Sequence, residues 1–204
     1  MAELNKNILV ASYPRSGNAL AMNTIWLNLM PKDSRFNVSF GMPAISRIGS
    51  IKEDEGIYKT HVKLSSCECL GLKQKFDIVY VSRDIKDVLV SRYFSESRAN
   101  RYSEDVDKDL FSEYVRKTTD SVIEHVRDWA GKDFITYVTF EDLLGDFYNI
   151  LGKLSEALHL KVKRYIKPKL YRHWSLGPRK GIVGDHKSYF SKEDYEFVEG
   201  RLNG

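Results

Sequence analysis

Three short polar groups follow apolar runs of this sequence, and their side chains are of types that bind anions and move protons. The first is Tyr13-Pro-Arg-Ser-Gly-Asn18, the second is Lys59-Thr60-His61, and the third begins at Arg83. A neutral imidazole accepts a proton from a hydroxyl near pH 7, and a neighbouring ammonium or guanidinium stabilises a leaving anion. Together the three groups predict an anion site beside a general base.

The first group has the character of a phosphate-binding turn. Gly17 lets the backbone approach a ligand closely, Ser16 offers a hydroxyl, and Arg15 supplies positive charge. The helix predicted to follow contributes N–H groups and the positive end of its dipole. The loop is not a Walker A sequence, because no lysine follows the glycine, and this disfavours hydrolysis of ATP or GTP.

Each group also has an ordinary structural explanation when it is taken alone. A turn with one glycine and one arginine is a common strand-to-helix connection. A single histidine is more often a surface or core residue than a catalyst. Arg83 has two acidic residues close by in sequence, Asp84 and Asp87, with which it could pair. The functional interpretation depends on the three groups meeting at one edge of a sheet.

The order of the apolar runs predicts such a sheet. The predicted strands cover residues 7–12, 56–61, 76–82 and 133–139. The predicted helices cover residues 19–30, 86–97, 111–129 and 143–158. We expect loops or a short helix over residues 31–56 and a loop over residues 99–108. Strands that alternate with helices are typical of a parallel sheet with helices on both faces, where ligands bind beyond the carboxyl ends of the strands. We therefore expect one α/β domain over residues 1–204.

Composition and charge narrow the class of protein. The chain has 204 residues, of which 42% are hydrophobic and 29% charged, a balance typical of a globular protein that needs no disulfide or metal. Its two cysteines, Cys67 and Cys69, are too close to pair readily and too few for a tetrahedral zinc site. No apolar run approaches the ~20 residues of a membrane span, and the polar start lacks a signal peptide. We expect a reduced, cytoplasmic protein.

The segment between Ala157 and Gly184 is basic and aromatic. It contains no Asp or Glu, and two tyrosines and a tryptophan lie among its lysines and arginines. Such a run is typical of a nucleic-acid surface, of a funnel for a small anion, or of a solvated face. Three glycines at 177, 181 and 184 indicate a backbone that wraps a ligand.

The same groups, in the same order, resemble the family of PAPS-dependent sulfotransferases, where PAPS is 3′-phosphoadenosine-5′-phosphosulfate. Residues 13–18 resemble its 5′-phosphosulfate loop, T-Y-P-K-S-G-T, and residues 59–61 resemble its K-T-H segment. Residues 81–91 resemble its 3′-phosphate segment, R-x-x-K-D-V-x-V-S, and residues 140–142 resemble its Y-E-D. Residues 179–187 resemble its terminal loop, R-K-G-x-x-G-D-W-K. Five motifs in sequence order make the resemblance specific.

The resemblance implies a fold, a reaction and a set of site residues. The fold is an α/β domain with a P-loop-like strand, loop and helix that bind the phosphosulfate. The reaction is in-line transfer of a sulfuryl group from PAPS to an acceptor hydroxyl or amine, which leaves the bisphosphate PAP and requires no metal. His61 would be the general base, and Lys59 and Arg15 would stabilise the departing nucleotide. The implied cofactor-binding residues are Arg15, Ser16, Gly17, Asn18, Ala19, Arg83, Ser91, Phe140, Arg179, Lys180 and Gly181.

Several positions depart from the family pattern. Arg15 replaces the usual loop lysine, and Leu20 stands where cytosolic members place a tryptophan against adenine. His186 replaces a tryptophan of the terminal loop. The polar Lys192, within a partial match to the family's dimer motif, favours a monomer over a weak homodimer. The chain is shorter than the cytosolic enzymes, so we expect an open acceptor site.

The expected partner is a small-molecule or carbohydrate acceptor, with no membrane span, and nucleic acid is less favoured. Two alternatives come from other classes of protein. A P-loop nucleotide kinase or NTPase would bind ATP tightly with Mg²⁺. A non-catalytic protein that binds nucleotides or nucleic acid would lack turnover, and its affinity for nucleic acid would fall steeply with salt.

Overall fold

A computed structural model describes residues 7–31, 56–66, 71–96, 106–168 and 180–204. The chain divides into two units. The first unit comprises Met1–Ser82 and Asp128–Pro168, and the second comprises Arg83–Arg127 and Lys169–Gly204. The predicted loops over 31–56 and 99–108 fall largely outside the described residues, as do Cys67, Cys69 and Arg179.

Parallel strands form the sheet of the first unit. The strands are β1 (Asn7–Ala11), β2 (Ile57–Thr60), β3 (Phe76–Ser82) and β4 (Ile135–Thr139), in the spatial order β2-β1-β3-β4. Each neighbouring pair is parallel, and Ala11 lies opposite Thr60 in β2. The predicted parallel α/β sheet is confirmed. Its register places the residues that follow β1 beside the residues that follow β2.

The strands are buried along almost their whole length. Ile8, Val10 and Ala11 of β1 have no exposed surface. Continuous apolar runs of this kind are typical of strands that are covered on both faces. On one face the ring of Trp129 stacks on Tyr80, with 5.5 Å between centroids. This aromatic packing buries Trp129 against β3.

Helices alternate with the strands, as the sequence predicts. They are α1 (Asn18–Leu29), α2 (Leu72–Lys75), α3 (Ile85–Glu96), α4 (Lys108–Trp129), α5 (Phe140–Gly145), α6 (Phe147–Ala157) and α7 (Lys192–Asn203). The prediction of one helix over 143–158 is wrong, because α5 and α6 separate at Asp146, whose φ of −124° and ψ of 47° are not helical. The helix α7 was not predicted. Among the described residues, no helix combines the length and the apolar character that a membrane span requires.

Aromatic rings form the core of the second unit. The ring of Tyr93 meets Phe111 edge to face at 5.1 Å, which joins α3 to α4. The ring of Phe94 meets Tyr189 at 5.2 Å, which joins α3 to the segment before α7. α7 begins at a capping box in which Ser191 and Asp194 bond each other's backbone. Residues 180–191 are therefore held against α3 by packing.

Candidate functional site

A tight loop joins β1 to α1 in the first unit. The Ser16 N–H donates to the carbonyl of Tyr13 at 3.2 Å. Arg15 (φ 76°) and Gly17 (φ 99°) are left-handed, whereas Ser16 between them is not. Left-handed residues in a tight turn are typical of backbone turns that bind anions. A left-handed arginine costs about 1–2 kcal/mol, so the loop stores strain at a candidate ligand site.

Phe140 fixes the shape of this loop. A Cβ atom added to Gly17 would lie 2.5 Å from Cδ2 of Phe140, so only glycine fits there without movement. Phe140 is 3% exposed and follows β4 directly. The hydroxyl of Thr139 accepts from the Asp142 N–H at 3.0 Å and caps α5 at that point. The Phe140 ring, at the start of α5, therefore packs against the loop and supports it.

The loop leads into the first turn of α1. Within the described residues no side chain caps this turn, and the N–H groups of Leu20 and Ala21 are the first to donate back, to the Gly17 carbonyl. The N–H groups of the three preceding residues come before the intrahelical ladder, at the positive end of the helix dipole. Ala19 is exposed, whereas Ser16 is only 3% exposed. An anion would thus meet backbone donors more readily than the serine hydroxyl.

Two cations of the first unit interact at this loop. Burial, and then repulsion by the Arg15 guanidinium, lower the pKa of Lys59 below its ordinary value. Like charges that face each other disfavour the charged form of Lys59, and an anion that binds both of them removes that penalty. The positive charges of Arg15 and Lys59 are therefore close enough to repel each other, a pairing that suits a phosphate or sulfate group.

His61 lies just beyond β2, and its tautomer follows from its partner. Its Nδ1 is 2.8 Å from the Ser12 carbonyl oxygen, which can only accept a hydrogen bond. The proton of the neutral ring is therefore on Nδ1, and the lone pair is on Nε2. The neighbouring backbone is fixed as well, since Nε1 of Trp129 donates to the Val62 carbonyl at 3.0 Å. The arrangement presents Nε2 as the atom that can take a proton.

Asn18 and Ser12 are buried beside the imidazole. Nδ2 of Asn18 donates to the Val10 carbonyl at 2.9 Å and to the Ser12 hydroxyl at 3.1 Å. The same hydroxyl oxygen is 3.4 Å from Nδ1 of His61. Among the described residues, Oδ1 of Asn18 has no hydrogen-bond partner although it is buried. The sequence reasoning missed Ser12, because its link to His61 spans 49 residues of chain.

The second unit carries the other predicted cations. Nη2 of Arg83 donates to the Ile182 carbonyl at 2.8 Å and lies 3.5 Å from Oδ2 of Asp87. Nζ of Lys180 lies 3.2 Å from the Tyr189 hydroxyl. Arg83 thus contacts the terminal glycine loop, residues 180–186, to which Lys180 itself belongs. The ion pair with Asp87 is also the ordinary structural explanation that the sequence allowed for Arg83.

Asp87 anchors the terminal loop to α3. Its fully buried carboxylate accepts from the N–H groups of Gly184 at 2.8 Å and His186 at 3.0 Å, and from Nδ1 of His186 at 2.8 Å. Burial alone would raise the pKa of Asp87, but these bonds and Arg83 bring the pKa below its ordinary value. The sequence reasoning missed this anchor, although Asp87 lies inside the segment that resembles R-x-x-K-D-V.

The remaining predicted residues of the second unit lie near this anchor in sequence. Ser91 is one helical turn after Asp87 in α3 and is 7% exposed. Gly181 (φ 68°) and Gly184 (φ 78°) are left-handed, and both turn the terminal loop. Arg179 lies outside the described residues.

The basic segment has a structural role over residues 161–168. Nη2 of Arg164 donates to the Met30 carbonyl at 2.8 Å, and Nζ of Lys167 donates to the Leu144 carbonyl at 2.6 Å. These carbonyls lie at the ends of α1 and α5, where basic side chains stabilise a helix. Two of the cations that suggested a nucleic-acid surface are therefore explained by packing within the first unit.

Comparison with known proteins gives a family match over nearly the whole chain. Residues 5–201 match the family described as Sulfotransferase domain. A 3-beta-hydroxysteroid sulfotransferase of Cavia porcellus is 23% identical over 92% of this chain and 79% of the relative. Sulfotransferase 1E1 of Mus musculus is 23% identical over 90% of this chain and 78% of the relative.

Solved structures share the fold. Mouse sulfotransferase SULT7A1 complexed with PAP has a TM-score of 0.70 at 18% identity, covering 96% of this chain and 81% of the other. Retinol dehydratase in complex with androsterone and inactive cofactor PAP has a TM-score of 0.65 at 15% identity, covering 97% of this chain and 79% of the other. At such low identity these likenesses establish the architecture.

Proposed function

This chain belongs to the sulfotransferase family, and we propose that it transfers a sulfuryl group from PAPS to the hydroxyl of a small molecule. The observation that carries the proposal is the bond from Nδ1 of His61 to the Ser12 carbonyl at 2.8 Å. It presents Nε2 as a base in the same unit as the two interacting cations, Arg15 and Lys59.

The residues of the first unit fit a phosphosulfate. Arg15 and Lys59 supply positive charge, and the backbone N–H groups of residues 17–19 supply donors at a helix start. The nearby Phe140 ring leaves no space for a side chain at position 17, and Gly17 lets the backbone approach the anion closely. Ser16 shapes the turn, since its N–H donates to the Tyr13 carbonyl and its side chain is buried.

The residues of the second unit fit a phosphate monoester. Arg83, Lys180, Ser91 and the Gly181 backbone are the proposed ligands of the 3′-phosphate, together with Arg179. The buried Asp87 acts indirectly, since it holds both Arg83 and the terminal loop. This set would account for selection of PAP over nucleotides that lack a 3′-phosphate.

PAPS supplies the activated sulfuryl group, and the protein supplies the base and the charge. Nε2 of His61 takes the proton of the acceptor hydroxyl as the hydroxyl oxygen attacks the sulfur of PAPS. The bond from that sulfur to the 5′-phosphate oxygen breaks and PAP departs, while the Ser12 carbonyl stabilises the imidazolium through Nδ1. Such base catalysis is worth about 10²–10⁴-fold in rate. Lys59 and Arg15 stabilise the negative charge that grows on the departing phosphate, which is worth about 10²–10³-fold.

The names of the relatives favour an alicyclic alcohol as acceptor. One relative is called a 3-beta-hydroxysteroid sulfotransferase, and one structural neighbour holds androsterone. We therefore propose a small hydrophobic alcohol as the acceptor class and keep a carbohydrate as the alternative. A panel with a phenol, a 3-hydroxysteroid, a primary alcohol and a monosaccharide separates these classes by turnover.

Calorimetry with PAP, ADP and ATP–Mg²⁺ tests the proposal. We expect PAP to bind at least about tenfold more tightly than ADP, because only PAP carries the 3′-phosphate; tenfold corresponds to about 1.4 kcal/mol. Lys59→Met should weaken PAP binding, and the matched control Lys117→Met, at an exposed position of α4, should not. Equal affinity for PAP and ADP would contradict the proposal. Tight binding of ATP only with Mg²⁺ would favour a kinase or NTPase.

A further inference from the structure

We propose that the Asn18 side chain is a positioning residue for His61, acting through Ser12, and is not a ligand of the phosphosulfate. The inference rests on the proposed function, because it assigns His61 as the base. The proposal adds a buried chain of hydrogen bonds that runs from Asn18 in the phosphate loop through Ser12 to His61. Asn18 would still offer its backbone N–H to an anion.

The donors of Asn18 point into the protein. The amide nitrogen has two hydrogens, and they are matched by the Val10 carbonyl at 2.9 Å and the Ser12 hydroxyl at 3.1 Å. A third oxygen, the Thr60 carbonyl, lies at 3.5 Å. Asn18 is 4% exposed, so these bonds are shielded from water. The amide therefore contacts the carboxyl ends of both β1 and β2.

The remaining polar atom of Asn18 cannot bind phosphate or sulfate. Oδ1 accepts hydrogen bonds and cannot donate one, and the oxygens of phosphate and sulfate esters are acceptors as well. Oδ1 is buried, and among the described residues it has no partner. The amide therefore has the wrong polarity for a phosphosulfate ligand and the right one for holding Ser12.

Ser12 meets the imidazole through two atoms. Its carbonyl oxygen accepts from Nδ1 of His61 at 2.8 Å, and its hydroxyl oxygen lies 3.4 Å from the same nitrogen. Ser12 has no exposed surface. A shift of Ser12 therefore changes both the proton on Nδ1 and the direction in which Nε2 points. Asn18 limits that shift because it binds the hydroxyl of Ser12 and the carbonyl of Val10.

Position 18 differs from the family motif that the loop of this chain resembles. The family's loop ends in threonine, T-Y-P-K-S-G-T, where this chain has Asn18. A threonine hydroxyl has one hydrogen and cannot donate to the Val10 carbonyl and the Ser12 hydroxyl together. Asn18→Thr is therefore a mild variant that keeps the size and polarity of the position and removes half of the link.

The first test compares kinetics and binding in Asn18→Ala, Asn18→Thr and Ser12→Ala. Misplacing a catalytic group by a fraction of an ångström to 1 Å costs up to about 10²-fold, so we expect kcat to fall by about 10- to 100-fold. The KM for PAPS and the Kd for PAP should stay within about twofold. The matched control Asn149→Ala, at an exposed position, should leave all three values unchanged. A loss of PAP affinity as large as the loss of kcat would overturn the proposal.

A second test places Asn18→Ala in the His61→Ala background. A residue that acts only through His61 has nothing left to position, so the double variant should keep the residual turnover of His61→Ala within about twofold. If the two losses multiply, the proposal is wrong. Asn18→Thr serves in the same cycle if Asn18→Ala does not fold.

The tautomer of His61 gives a readout that needs no turnover. Nitrogen-15 NMR of the imidazole should report a protonated Nδ1 and an unprotonated Nε2 in the wild type. Asn18→Thr and Ser12→Ala should give a mixture of tautomers, and Asn149→Ala should not. Wild-type spectra in the variants would overturn the inference even if the enzyme is active. Absence of turnover in the wild type, with the predicted change of tautomer, would instead refute only the proposed function.

Discussion

Replacing Gly17 by alanine should damage both stability and anion binding, and the size of the effect follows from the geometry. The left-handed backbone at Gly17 (φ 99°) costs an alanine about 1–2 kcal/mol. The new Cβ would lie 2.5 Å from Cδ2 of Phe140, an overpacked contact worth about 1–3 kcal/mol. Alanine also lowers the conformational entropy of the unfolded chain, which offsets about 0.4–1 kcal/mol of this destabilisation. We expect the free energy of unfolding to fall by about 1–5 kcal/mol.

Urea denaturation of Gly17→Ala and Gly152→Ala gives the measurement and its control. Gly152 lies in the exposed interior of α6, and an added Cβ meets no atom within 4 Å. There the same substitution should stabilise the protein by about 0.5–1 kcal/mol, because alanine is the better helix former. The two variants thus have opposite predicted signs.

A double-mutant cycle with Phe140 isolates the contact. Phe140→Ala alone should cost about 3–5 kcal/mol, because the ring is buried. In that background Gly17→Ala should cost about 1–3 kcal/mol less than in the wild type, since the overpacked contact is gone. Wild-type stability and wild-type PAP affinity in Gly17→Ala would refute the reasoning about the loop.

Two further predictions concern titratable groups. Burial and Arg15 lower the pKa of Lys59, and bound PAP should raise this pKa again. PAP binding at a pH below the ordinary lysine pKa of about 10.4 should therefore take up protons. Calorimetry in buffers of different ionisation enthalpy measures the uptake, which Lys59→Met should abolish. The pKa of Asp87 is lowered in the folded protein, so its stabilisation is present above the ordinary carboxyl pKa of about 3.9 and is lost as pH falls through the lower folded value. Asp87→Asn should therefore lower the free energy of unfolding, measured by urea denaturation at pH 7, by about 3 kcal/mol. The difference from the wild type should shrink in acid.

The sheet could be predicted from sequence because its signal is local. The runs that form β1 and β3 are apolar at nearly every position, and β3 begins and ends where the sequence predicts. The gap between α5 and α6 escaped prediction because apolar spacing continues across it, with Leu143 and Phe147 both buried. The signal was a turn pair, Gly145-Asp146, whose carboxylate binds Asn149 at 2.8 Å. Turn chemistry here outweighs hydrophobic periodicity.

The candidate site was only partly readable. His61 and Lys59 stand at a strand end, which the sequence indicates, but the partner that fixes the imidazole is Ser12, 49 residues away. A sequence motif likewise does not show that the Asn18 amide points into the protein, so every residue of the loop is predicted to be a ligand. The sequence indicates Asp87 only as a partner of Arg83, whereas it also binds the backbone of Gly184 and His186. Such links depend on the register of the sheet and on loop packing.

Transfer of labelled sulfate from PAPS to the acceptor panel tests the central claim most directly, with His61→Ala compared against His159→Asn. His159 is exposed and left-handed (φ 53°), a conformation that asparagine tolerates, so it is a matched control. We expect wild type and His159→Asn to transfer sulfate equally. His61→Ala should lose at least about 10²-fold in turnover and bind PAP within about twofold of wild type. Undiminished turnover in His61→Ala, or no transfer from PAPS to any hydroxyl by a wild type that binds PAP, would contradict the account.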